Sequence, residues 1–133
     1  TVGVFVGCSY TDPNTSQKTF RQSWPASTVA SDAMAYIVDD PDCLFQVQAD
    51  GAVTQADLGQ NTHLAAVQST NTGSTTTGNS TSAVTATTAV TSGFAFRIVD
   101  FVDGPESTVG DAFTDLIVKF NPDSHSYTNK TGI

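Results

Sequence analysis

Phe94-Ala95-Phe96-Arg97-Ile98-Val99-Asp100-Phe101 carries the clearest periodic signal in the chain. Phe94, Phe96 and Ile98 stand on alternate positions, the period of a β-strand with one covered face. Val99 and Phe101 then flank Asp100, so the apolar face moves by one residue in the middle of the run. Successive strand residues point to opposite faces, so such a shift predicts a bulge, or a strand passing between two packed sheets. Gly104-Pro105 closes the segment.

The same period recurs on both sides. Downstream, Phe113 to Phe120 is expected as the last strong strand, with Leu116, Val118 and Phe120 on one face. Upstream, Val2, Val4, Val6 and Cys8 alternate with Gly3, Phe5 and Gly7, and Thr11-Asp12-Pro13-Asn14 follows as a turn. Lys18 to Ser23 is expected as a second strand that stops at Trp24-Pro25 or lies at an edge, because proline removes a donor. Asp32 to Val38 and Cys43 to Gln48 flank the turn Asp39-Asp40-Pro41-Asp42; Phe45, Val47 and Ala49 face one way and Gln46 and Gln48 the other. Asp50-Gly51 is the next turn. Thr54-Gln55-Ala56-Asp57 is a helix-like start that Gly59 ends after one turn. His63 to Gln68 reads as a further strand. Residues 69–93, rich in Thr, Ser and Gly, read as short ordered strands and turns anchored by Val84 and Val90, since threonine is β-branched and stiff. Residues 121–133 form a polar, extended tail. The expectation is an all-β, single-domain β-sandwich or β-barrel over 1–133, of about seven to nine short strands and at most one or two short helical turns.

Composition agrees. In 133 residues the charged share is 14 %, Lys and Arg total five, and Glu106 is the only glutamate. Helix surfaces use long side chains that lose little freedom there; this chain spends its polar positions on Thr, Asp, Asn, Ser and Gly, which suit strands and turns. The net charge of −8 and the absence of a Lys/Arg cluster exclude phosphate-driven nucleic-acid binding. No apolar run approaches about 18 residues, so no membrane helix is expected. The chain reads as strand from Thr1 with no start methionine or leader, which suggests a segment lost ahead of it by processing or disorder. Cys8 and Cys43 sit in strand-like runs and are expected as buried free thiols rather than a bridge.

The residue types that carry chemistry are scattered. No His-Glu-x-x-His, Gly-x-Ser-x-Gly or lysine-bearing phosphate loop occurs; Gly73-Ser74-Thr75-Thr76-Thr77-Gly78 has Asn79 where the lysine belongs. His63 and His125 are isolated, each a base or ligand at most, and otherwise a surface or partly buried residue. Asp39, Asp40 and Asp42, and separately Asp100, Asp103, Asp111 and Asp115, could offer oxygens to a cation, but Asp is also what turns favour. Trp24 with Tyr10, Phe20 and Tyr36 is either core or an aromatic platform for a sugar. Sequons at Asn14, Asn79 and Asn129 occur as chance would place them. No catalytic, cofactor or metal residues are assigned, and no enzyme activity is expected.

Gly3-Val4-Phe5-Val6-Gly7-Cys8-Ser9-Tyr10-Thr11-Asp12, Trp24-Pro25-Ala26-Ser27, Ala35-Tyr36-Ile37-Val38-Asp39-Asp40-Pro41-Asp42, Phe45-Gln46-Val47-Gln48, Gly73–Ser80 and Arg97–Asp103, taken in this order, resemble small virion proteins of tailed bacteriophages, the capsid decoration or cement proteins. The likeness spans most of the chain and lies in the order of the segments rather than in any one motif. Family members carry a further N-terminal segment before the Gly-Val-Phe strand. They finish soon after the last strand, whereas this chain continues through His125-Ser126-Tyr127. The resemblance implies a protein on the outer surface of the phage head that clamps neighbouring major capsid protein subunits, as a homotrimer at local three-fold axes, without cofactor, nucleic acid or membrane. The alternative expectation is a carbohydrate-binding or adhesive β module of a fibre or secreted protein, suggested by the Thr/Ser/Gly/Asn richness and Trp24.

Overall fold

The computed structural model describes residues 1–65, 73–74, 76–91 and 93–131. They form seven strands in two antiparallel sheets, with two short 3-10 turns and no α-helix among the described residues. The all-β expectation is met in strand number and in helix content. The chain groups into two compact units. One comprises Val2–Asp39 and Thr72–Thr81, and the other Thr1, Asp40–Asn71 and Ser82–Ile133.

The first unit holds a three-stranded sheet in the order β2-β1-β3, from β1 (Val4–Thr11), β2 (Lys18–Arg21) and β3 (Met34–Val38). The β1–β2 turn is closed by Asp12, whose amide donates to the Gln17 carbonyl and whose carboxylate accepts from the Asn14 amide. β2 ends before Trp24-Pro25 and is an edge strand, as the proline signalled. β1 does not alternate without interruption from Val2 to Cys8. Its register against β3 slips between Phe5 and Gly7, so Val6 is an extra, bulged residue. Gly7 lets β2 come close: a Cβ there would stand 3.0 Å from the Arg21 carbonyl oxygen.

The second unit holds a four-stranded sheet in the order β4-β7-β6-β5, from β4 (Leu44–Gln48), β5 (Asn61–Thr62), β6 (Phe96–Phe101) and β7 (Asp115–Phe120). The register of β6 against β7 slips between Ile98 and Asp100. Val99 is thus the bulge that the shift of apolar face predicted, and it returns Phe101 to the face of Phe96 and Ile98. On β7, Leu116, Val118 and Phe120 are all buried, and each such side chain contributes roughly 1.5–3 kcal/mol. Phe45 and Phe96 pack against Phe120 with ring centroids 5.3 and 5.5 Å away.

Three expectations are corrected here. The strand placed at His63 to Gln68 lies earlier, at Asn61–Thr62; Leu64 keeps only a bridge to Val84, and 66–68 fall outside the described residues. Within 69–93, the segment from Ala83 to Thr91 is ordered by long-range hydrogen bonds. Val84 pairs its amide with the Gln48 carbonyl and its carbonyl with the Asp50 amide, and Ala89 exchanges both bonds with Asn61. Val84 is buried as expected of an anchor, but Val90 is exposed. The tail is not extended: Pro122–Ser124 forms a 3-10 turn, the His125 carbonyl accepts from Asn129, and the His125 ring packs on Phe120. An apolar strand end offered a surface that a polar tail with one aromatic group could cover.

Candidate functional site

The residues that could have carried chemistry are engaged in holding the fold. His125 is fully buried against Phe120 and Tyr127, correcting its reading as a surface or partly buried residue. Its Nδ1 accepts the Tyr127 amide at 3.2 Å, and its Nε2 has no hydrogen-bond partner among the described residues. His63 lies with its ring 4.5 Å from that of Phe94, and its Nδ1 is buried with no hydrogen-bond partner among the described residues. Neither imidazole takes part in an ion pair among the described residues.

The aspartates serve turns. Asp40 accepts the Asp42 amide, Asp100 the Phe101 amide, and Asp111 the Thr108 amide, which holds the Asp111 carboxyl below its ordinary pKa. Asp42 meets Lys119 at 3.5 Å and Asp115 meets Gln48 at 3.4 Å. Among the described residues, no three His, Cys, Asp or Glu side chains gather as a metal site. Asp57, which did not stand out beyond the helix start, is a hub. It accepts from the Thr88 hydroxyl at 2.6 Å and from the Thr54 amide and hydroxyl at 2.9 and 2.8 Å, and these bonds lower its pKa in that order.

Around the phosphate-loop look-alike, Ser74 and Gly78 give their amides to the carbonyls of Asn79 and Ser74, so these donors are not turned toward a ligand. Both cysteines are free. Cys8 is buried, with its thiol 3.6 Å from the Ser23 carbonyl, and Cys43 is only half-buried. The sequon residues Asn14 and Asn79 are exposed, Asn14 in a turn, and Asn129 caps Thr131.

What remains without an internal explanation is the apolar surface of the three-stranded unit. Residues paired across an antiparallel sheet share a face. Cys8 therefore faces with Arg21 and Ala35, and the Val6 bulge brings Phe5, paired with Ile37, to that same face. Tyr10 is buried there against Trp24, ring centroids 5.1 Å apart. Phe5, Cys8, Trp24, Ala33, Met34 and Ala35 line a recess of about 290 Å³ on this unit. Met34 lines it although its register with Ser9 assigns its side chain to the opposite face. That opposite face carries Phe20 and Tyr36, whose hydroxyl donates to the Ser9 hydroxyl at 3.0 Å.

The four aromatics therefore form neither one platform nor one core. Tyr10 is core, Trp24 borders a recess that offers almost no hydrogen-bonding side chain, and Phe20 and Tyr36 lie across the sheet. Phe20 is 70 % exposed and Met34 58 %. β3, Met34-Ala35-Tyr36-Ile37-Val38, is apolar throughout. Its first four residues are nevertheless exposed.

Charge divides between the units in the opposite sense. The three-stranded unit holds Asp12, Asp32 and Asp39 against Lys18 and Arg21, a net −1. The four-stranded unit holds the other ten acids against Arg97, Lys119 and Lys130, a net −7. A near-neutral unit with exposed aromatic and aliphatic side chains is suited to adhesion; a strongly acidic one is suited to staying in water.

No family model matches the chain, and no curated protein or solved structure is significantly similar to it.

Proposed function

We propose that this chain is a virion structural protein that binds the outside of a tailed-phage head and stabilises contacts between major capsid protein subunits, three copies meeting at each local three-fold axis. The observation that carries the reading is the uneven spread of surface chemistry: exposed aromatic and aliphatic residues are denser on the smaller, three-stranded unit, although Val90, Phe113 and Tyr127 of the other unit are exposed as well. The apolar side chains of the three-stranded unit, Phe5, Phe20, Trp24, Met34, Tyr36 and Ile37, are left open to solvent, while the charge sits on the other unit. A clamp needs one adhesive surface and one soluble surface, and it needs no reaction centre. Many copies on a lattice make individually modest contacts effective. The resemblance of the ordered segments supplies the lattice.

Purified virions test this. The protein is expected at a copy number proportional to that of the major capsid protein, and Phe20→Asp is expected to lower its occupancy at least about tenfold, the scale of a desolvated aromatic anchor. Trace amounts, or one set of copies per tail, overturn the proposal.

A carbohydrate-binding role has one feature in its favour, a polar recess of about 300 Å³ lined by Arg21, Gln22, Ser23, Thr76, Thr77 and Gly78. A glycan array with Trp24→Ala and Arg21→Ala controls separates the two readings: saturable glycan binding lost in Arg21→Ala favours it, and no binding removes it.

A further inference from the structure

The polar recess of the three-stranded unit is built from two distant parts of the chain, the end of β2 and the turn at 76–78. The two are fitted to each other. Gln22 Nε2 donates to the Thr77 carbonyl. Ser74 holds the turn: its carbonyl accepts the Gly78 amide at 2.8 Å and its hydroxyl accepts the Thr77 amide at 3.2 Å. Gly78 has a φ of +72°, and a Cβ there would stand 2.9 Å from Gln22 Nε2 and 3.0 Å from Ser23 Oγ. Only glycine combines that backbone conformation with so close an approach.

Arg21 is the one charged residue of the lining. Lys18, the other cation of the unit, is paired with Asp32 at 3.2 Å. The Arg21 guanidinium has no ion pair and no hydrogen bond among the described residues. In a chain of net charge −8, this hollow of about 300 Å³ therefore holds a cation that no acid compensates. A guanidinium is a planar fork of donors that matches a carboxylate in bidentate fashion. Beside it stand groups that accept as well as donate. The Ser23 and Thr76 hydroxyls and the Gln22 Oε1 have no hydrogen-bond partner among the described residues. A simple anion brings few protons for those acceptors, and a neutral sugar leaves the guanidinium unpaired. A phosphate site of the usual kind would need free backbone amides, and those of Ser74 and Gly78 are spent on carbonyls. A carboxylate carried on a hydroxylated ring satisfies both halves of the lining, and the volume is that of a small-ligand pocket at the low end of its range.

We infer that this recess binds a sugar acid, a hexuronate, with its carboxylate on Arg21 and its ring hydroxyls on Gln22, Ser23 and Thr76. The inference rests on the carbohydrate-binding reading, not on the head-binding one, and assigns the class of sugar. The full, isotope-labelled chain is titrated with sodium glucuronate, glucose, acetate and inorganic phosphate while the amide resonances of residues 21–23 and 76–78 are followed. Expected are saturable shifts at those residues with glucuronate. Glucose and acetate, each lacking half of the contacts, are expected to bind at least about tenfold more weakly. Arg21→Gln, with its other resonances unmoved, is expected to weaken glucuronate at least about tenfold and to leave glucose unchanged. Ser23→Ala is expected to weaken glucuronate and leave acetate unchanged. Glucose binding as tightly as glucuronate overturns the assignment of an acid and leaves the carbohydrate-binding reading in place. Acetate or phosphate binding as tightly as glucuronate, or no saturable shift with any of the four, overturns the inference. Copy number on virions is measured separately, so the head-binding proposal stands or falls apart from this titration.

Discussion

Phe120 touches more of the four-stranded unit's aromatic groups than any other described residue, meeting Phe45, Phe96 and His125 within 5.5 Å. Truncation there leaves a cavity that three rings cannot close, so Phe120→Ala is expected to cost about 3–5 kcal/mol in urea denaturation. Phe20→Ala, at an exposed position, is expected to stay within about 0.5 kcal/mol. Asp32, Asp57 and Asp111 all have pKa values lowered by hydrogen bonds from Thr11, Thr88 and Thr54, and Thr108 respectively. A carboxyl with a lowered pKa in the folded state contributes stability that is present above its unfolded value, near 4, and lost as pH falls through the folded value. Stability is therefore expected to hold from neutrality down to about pH 5 and to fall below about pH 4. Asp57→Asn, which keeps the shape but not the charge, is expected to flatten part of that acid limb, read as the urea midpoint against pH.

At the scale of elements, both sheets are organised by a bulge. Val99 realigns β6 so that Phe96, Ile98 and Phe101 share the buried face, and Val6 moves Phe5 onto the face of Cys8 and Tyr10. Deletion of Val99 leaves Phe96-Arg97-Ile98-Asp100-Phe101 in simple alternation, with the three apolar side chains still on the buried face and the same partners on β7. The variant is therefore expected to fold with a loss below about 2 kcal/mol from the altered local twist, seen as near-ultraviolet circular dichroism and dispersed amide resonances that persist. The Val99 bulge was legible in sequence because apolar residues flank it on both strand faces. The Val6 bulge was not, because glycine and cysteine neighbours let the Val2-to-Cys8 run pass as simple alternation. The short turn at Gln55–Asp57 was also legible, since the Thr54–Asp57 spacing and Gly59, at a φ of +83°, are local signals.

For the molecule as a whole, the concentration of charge on one unit and the denser apolar surface of the other predict how it behaves in solution. The acidic unit keeps copies apart by repulsion with a range of about 10 Å at 0.1 M salt. Sulfate both screens that repulsion and strengthens apolar burial. Light scattering is therefore expected to show self-association rising with ammonium sulfate, and Phe20→Asp is expected to raise the sulfate concentration at which it begins. Association unaffected by Phe20→Asp would place the adhesive surface elsewhere. No helix among the described residues is long and apolar enough to cross a membrane.

Strand identity, the turns at Asp12 and Asp40 and the break at Val99 follow from neighbours within a few positions, where alternation, turn residues and capping act. Which apolar face is covered does not, because a period of two names two faces and leaves open what lies against each. Leu116, Val118 and Phe120 are buried, whereas Met34 to Ile37 are exposed, although both runs are equally apolar. The same holds for the stretch from Ala83 to Thr91 and for His125. Their order comes from hydrogen bonds to Gln48, Asp50, Asn61 and His63 and from packing on Phe120, partners set far along the chain that only folding brings near.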